Sequence, residues 1–121
     1  MPKILIADDG EFLRVRTARA LAVEGFTVVE ADNGVTAVEL FQAEKPEVSF
    51  LDISMPEKDG LTALKDILAL QADAKVVMLA SLGQETLVLK AIRAGAKDYI
   101  VKPFEKDRIL AVIHKILGIS I

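Results

Sequence analysis

The chain has 121 residues, 52% of them hydrophobic, a formal net charge of −3, one histidine and no cysteine. That length and apolar content suit one domain over residues 1–121 with a real core, and they exclude bulk disorder. The charge leaves no basic footprint for direct nucleic-acid binding and no polybasic membrane patch. The missing cysteines exclude disulfides, thiolate catalysis and Cys-ligated metals, and the lone His114 excludes multi-histidine sites. No apolar stretch approaches membrane-spanning length and no signal-peptide pattern opens the chain, so a cytoplasmic protein is expected.

In chain order, Ile4 to Ala7 is a continuous apolar run that predicts a strand buried on both faces. It ends in Asp8-Asp9-Gly10. A helix is predicted from about Glu11 to Glu24, with Leu13, Thr17, Ala20 and Leu21 along one face and Arg14, Arg16 and Arg19 projecting elsewhere. Gly25 suits its stop. Phe26 to Ala31 predicts a second strand, Asp32-Asn33-Gly34 a loop, and Val35 to Glu44 a helix burying Ala37, Val38 and Phe41. Pro46 closes that helix. Val48 to Leu51 is a third, buried strand with Asp52 at its carboxyl end. Pro56 and Asp59-Gly60 mark the loop beyond it.

Leu61 to Leu70 predicts a helix with Leu64, Ile67 and Leu68 inward, and Lys75 to Ala80 a fourth strand. Ser81-Leu82-Gly83 leads to a helix from about Gln84 to Arg93, stopped by Gly95. Asp98 to Val101 is a fifth strand, closed by Lys102-Pro103-Phe104. Glu105 to Leu117 is the last helix, carrying Ile109, Leu110, Val112, Ile113, Ile116 and Leu117. Five strand–helix alternations imply right-handed crossovers and a doubly wound α/β fold, a parallel sheet with helices on both faces. No linker, repeat or low-complexity segment interrupts the pattern.

Three carboxylates converge by topology. In a five-stranded sheet of order 2-1-3-4-5, strands one and three are neighbours at the switch point, where ligands bind beyond the strands' carboxyl ends. Asp8 and Asp9 end strand one and Asp52 ends strand three, so the three share a cleft. Alone, Asp8-Asp9 reads better as a helix cap, and Lys102 alone as a solvated strand-end lysine. Asp52 could also be a cap, but Asp59 lies nearer the next helix and suits that role better. The co-occurrence is what is specific. Like charges at that distance repel unless a cation intervenes, and clustered carboxylate oxygens favour a hard divalent ion such as Mg²⁺. With Lys102 reaching in from strand five, the set makes a site for a phosphoryl group, with a carboxylate able to act as nucleophile.

The segments Ile4-Leu5-Ile6-Ala7-Asp8-Asp9, Leu51-Asp52-Ile53-Ser54-Met55-Pro56, Asp59-Gly60 and Ala94 to Phe104 strongly resemble the response-regulator receiver family, and within it the single-domain chemotaxis type. The resemblance covers essentially the whole chain. It implies a flavodoxin-like fold and a Mg²⁺-dependent phosphoacceptor at Asp52, charged by a histidine kinase. It implies metal ligation by Asp8, Asp9, Asp52 and the backbone carbonyl of Ser54, phosphoryl contact by Lys102, and a cis Lys102-Pro103 bond. Tyr99 matches the family's aromatic switch position. A downstream protein partner, or a second copy, would dock on the face of helix four, strand five and helix five.

One departure stands out. The family's Ser or Thr at the end of strand four falls on Ala80, and Ser81 takes the small position that follows, so the order is reversed. Phosphorylation could then persist with a weakened switch, unless a loop shift lets Ser81 substitute. A signalling module that catalyses its own phosphoryl transfer and hydrolysis, rather than an enzyme, is the leading reading. The alternatives are a receiver-like scaffold without effective switching, an Asp-nucleophile phosphatase, and a flavin binder. Against the phosphatase, Ser54 stands where a general acid would be needed. Against the flavin binder, no glycine-rich loop follows strand one, and Tyr99 is the single tyrosine in a chain without tryptophan.

Overall fold

The computed structural model describes residues 2–119. Strand and helix alternate throughout: β1 (Lys3–Ala7), α1 (Glu11–Val23), β2 (Thr27–Ala31), α2 (Gly34–Glu44), β3 (Val48–Asp52), α3 (Gly60–Leu70), β4 (Val76–Ala80), α4 (Glu85–Ala94), β5 (Asp98–Val101) and α5 (Lys106–Leu117). The strands form one parallel sheet in the order β2-β1-β3-β4-β5. This is the doubly wound architecture expected from the alternation.

Side chains of successive strand residues point to opposite faces, so the sheet divides the core in two. Ile4, Ile6, Val48, Phe50, Val77, Leu79 and Ile100 face α1 and α5, where Leu21, Ile109, Val112 and Ile113 meet them. Leu5, Ala7, Leu51, Val76 and Met78 face α2, α3 and α4, against Phe41, Leu64, Ile67 and Ala91. Central strands β3 and β4 are buried at all five positions, which explains the unbroken apolar run of β4 and the largely apolar one of β3, where Ser49 and Asp52 are the buried polar exceptions. The edge strands β2 and β5 retain exposed positions.

Two details differ from expectation. The buried face of α1 is Thr17, Ala18 and Leu21, while Leu13 and Ala20 are only half-buried. The charges on α1 are spread around the helix, and Arg14 turns inward, so periodicity could not fix the face. Asp52 lies inside β3 as its last residue, pairing with Leu79. Asp59 caps α3, its carboxylate accepting from the Thr62 amide at 2.8 Å, and Asn33 caps α2 by accepting from the Thr36 amide at 2.8 Å. No helix among the described residues is long and apolar enough to cross a membrane.

Candidate functional site

The register of the sheet builds the site. Ala7 pairs with Leu51, so Asp8 leaves β1 level with Asp52 at the end of β3. Asp8 and Asp52 are buried, at 1% and 3% exposure, and Asp9 is exposed beside them. One carboxylate oxygen from each of the three lies within 4.8 Å of the others. Lys102 follows the last residue of β5 and reaches past β4. Its Nζ donates to Asp52 Oδ2 at 2.8 Å and to Asp8 Oδ2 at 3.3 Å. The Lys102-Pro103 peptide bond is cis.

The two buried acids are held differently. Asp8 is engaged at every polar atom. Its amide donates to the Ala31 carbonyl at 3.0 Å, and its carbonyl accepts from Arg14 Nη1 at 2.9 Å. Its Oδ1 accepts from the Gly10 amide at 2.9 Å, and its Oδ2 faces Lys102. Asp8 therefore orders the turn into α1, whose cap position is Gly10. On Asp52, Oδ2 is taken by Lys102, while Oδ1 has only the Ser54 amide at a long 3.5 Å. That oxygen is the more available one.

Electrostatics follow from this packing. Burial pushes Asp52 up from 3.8 to about 6, the nearby Asp8 charge adds to the rise, and the Lys102 hydrogen bond works against it. Burial alone would lower the Lys102 ammonium, but its hydrogen bond with Asp52 and the charges of Asp52 and Asp8 outweigh that and hold it above its usual value. Three carboxylates against one ammonium leave a cluster of hard oxygen donors short of positive charge. That donor set fits a hard divalent cation.

The loop after Asp52 is wedged by two glycines. A Cβ on Gly60 would lie 2.1 Å from the Asp52 carbonyl oxygen, and one on Gly34 would lie 1.9 Å from the carbonyl oxygen of Lys58. Neither position tolerates a side chain without moving backbone. Ser54 is exposed in this loop.

Residues 4–114 match the family model of the response regulator receiver domain. The chain belongs to this family. It is 48% identical over 117 residues to the chemotaxis protein CheY of Bacillus subtilis (strain 168), covering 96% of this chain and 98% of the relative. It is 39% identical to the CheY of Thermotoga maritima over 115 residues, covering 94% and 96%. The receiver domain of NtrX from Brucella abortus superposes with a TM-score of 0.90 at 34% identity, covering 97% of this chain and 99% of that one. Receiver domains are generally Mg²⁺-binding and work with histidine kinases and downstream targets, and the donor set described above is of that kind.

The departure expected from the sequence falls at the end of β4. Ala80 is buried, ends β4, and its carbonyl accepts from the Lys102 amide at 2.7 Å. Ser81 is exposed. Its amide donates to Gln84 Oε1 at 2.7 Å, and the Gln84 amide returns to the Ser81 carbonyl at 3.2 Å. Tyr99 is 42% exposed and lines a cavity of about 370 Å³ with Ala80, Val88, Ile92 and Val101. His114 is half-buried in the last turn of α5, away from the acid cluster in sequence and element.

The sequence reading missed Arg14, assigned to the outer face of α1, whose guanidinium instead reaches the Asp8 carbonyl. No spacing signal could have found it, because the bond runs to a backbone atom. It also missed the wedging role of Gly34, read only as part of a loop.

Proposed function

We propose that this chain is a phosphoryl-accepting response regulator of the chemotaxis type, with Asp52 as the acceptor. The observation that carries the reading is the buried Asp52 carboxylate, 2.8 Å from Lys102 Nζ and clustered with Asp8 and Asp9. Asp52 Oδ1, the less encumbered oxygen, attacks phosphorus. An O–P bond forms as the P–N bond of a kinase phosphohistidine breaks, and the departing imidazole takes a proton. Lys102 moves from Asp52 Oδ2 to the incoming phosphoryl oxygens and balances their charge.

Asp8, Asp9 and Asp52, with the Ser54 backbone carbonyl, would hold Mg²⁺. When bound, this ion supplies charge neutralisation for the phosphoryl group. Asp8, fixed at all its polar atoms, keeps its place while Asp52 becomes an ester-like acyl phosphate. Water later attacks phosphorus and returns the free carboxylate, so the domain catalyses its own charging and discharge and acts on no separate substrate. A cytoplasmic setting is consistent with this chemistry.

Output runs through the face of α4, β5 and α5, where Leu87, Leu89, Ile92, Tyr99 and Val101 are exposed. A protein partner or a second copy covers it. Substitutions there that leave both partner binding and self-association unchanged would remove this assignment.

The test of the acceptor is intact mass after incubation with a small phosphodonor and Mg²⁺, comparing the parent with Asp52→Asn. Modification of the parent alone supports the reading. An unmodified parent would sink it. A second reading, acceptance with weak switching, is favoured by the buried methyl of Ala80 where a hydroxyl would be expected. It holds if Tyr99 fluorescence ignores modification in the parent but responds in Ala80→Ser, and fails if the parent already responds.

A further inference from the structure

We infer that Arg14 is a positioning residue for the divalent-cation site, holding Asp8 by its backbone while leaving the carboxylates free. The inference rests on the metal-binding reading above and deepens it.

Arg14 lies one turn into α1, with its side chain only 13% exposed. Its Nη1 donates to the Asp8 carbonyl at 2.9 Å, and its Nε donates to Glu30 Oε1 on β2 at 3.1 Å. One guanidinium thus ties α1, the end of β1 and β2 together. The planar fork of arginine makes both bonds at once; a lysine ammonium on a shorter, flexible stem does not reproduce that geometry.

The choice of atom on Asp8 matters. Lys102 bonds carboxylate oxygens, so it must yield them to an arriving cation. Arg14 bonds the carbonyl and competes for no ligand oxygen. The carbonyl fixes the peptide plane between Asp8 and Asp9, and so the direction in which both side chains leave the chain. Asp9 is exposed, so its aim depends on that plane more than on packing. Groups that orient metal ligands without touching the metal commonly change affinity by about tenfold or more when removed.

Two other roles for Arg14 give opposite results. As a mere nearby positive charge it would repel a cation, and its removal would tighten binding. As a mere structural brace it would affect stability and leave affinity alone.

The experiment is calorimetric titration of the folded full chain with MgCl₂ for the parent, Arg14→Met, Arg14→Lys and Glu30→Gln, with urea denaturation of each in EDTA. Positioning predicts about tenfold weaker Mg²⁺ binding in Arg14→Met, weakening also in Arg14→Lys, and a smaller loss in Glu30→Gln. Glu30 is an exposed partner, so its variant keeps the test valid if Arg14→Met fails to fold. Tighter binding in Arg14→Met, or unchanged affinity across the three variants beside a parent that binds, overturns the inference alone. A parent that binds no Mg²⁺ overturns it together with the metal-binding reading.

Discussion

Asp52→Asn should make the metal-free protein more stable at neutral pH. The Asp52 carboxyl stands at about 6 in the folded protein against 3.8 when unburied. Each pH unit of difference is worth about 1.4 kcal/mol, so keeping Asp52 ionised in the fold costs about 3 kcal/mol above pH 6. Asparagine has the same shape, carries no charge, and leaves Lys102 its contact with Asp8. The value of about 6 already contains the attraction to Lys102, so the expected gain is about 2–3 kcal/mol at pH 7.5.

The native value exceeds the unfolded one, so folding takes up a proton between them. The penalty is absent below about pH 3.8, grows as pH rises to about 6, and is constant beyond. Urea denaturation of parent and variant in EDTA, at intervals from pH 4 to 7.5, reads this directly. The two curves should converge near pH 4. Mg²⁺ at ten times its dissociation constant should then stabilise the parent by about 1.4 kcal/mol and the variant by less. A variant less stable than the parent at pH 7.5, or a difference that does not change with pH, would refute the reasoning.

Three further outcomes are expected. Ser49 is fully buried in β3 and its hydroxyl has no partner among the described residues. Ser49→Ala should therefore raise stability by about 0.5–2 kcal/mol, and a loss above about 1 kcal/mol in urea would show that the hydroxyl is satisfied. Glu57 has a φ of 68°, a left-handed conformation that costs a side chain, so Glu57→Gly should gain about 0.5–1 kcal/mol by the same assay; a loss would contradict the strain. Gly34→Ala drives a Cβ into the Lys58 carbonyl and should lower stability by about 1–3 kcal/mol, whereas an unchanged melting temperature would mean the loop yields freely.

The acid cluster and the sheet order were legible in the sequence because both are one-dimensional signals. Strand ends are marked by the switch from apolar to charged residues, as at Ala7-Asp8 and Leu51-Asp52. Alternating elements allow few chain paths. Apart from the Asp59 cap, what bonds backbone was not read from the sequence. Arg14 bonds a carbonyl, Gly34 is defined by the absence of a side chain near Lys58, and the Gln84 bond to the Ser81 amide follows a Ser-x-x-Gln pattern that was not read as a cap. The face of α1 was misread at Ala18 and Ala20 because α1 is weakly amphipathic. At the end of β4, Ala80 is buried and Ser81 is exposed with its amide tied to Gln84.

Lys102 is rooted beside an edge strand that pairs with β4 alone, yet its ammonium spans β4 to grip acids on β3 and β1. It works as a tie rod across the sheet, and its tension is set by charge. Anything that changes the charge on Asp52 changes the pull on that rod, whose root follows the last residue of the strand that carries Tyr99.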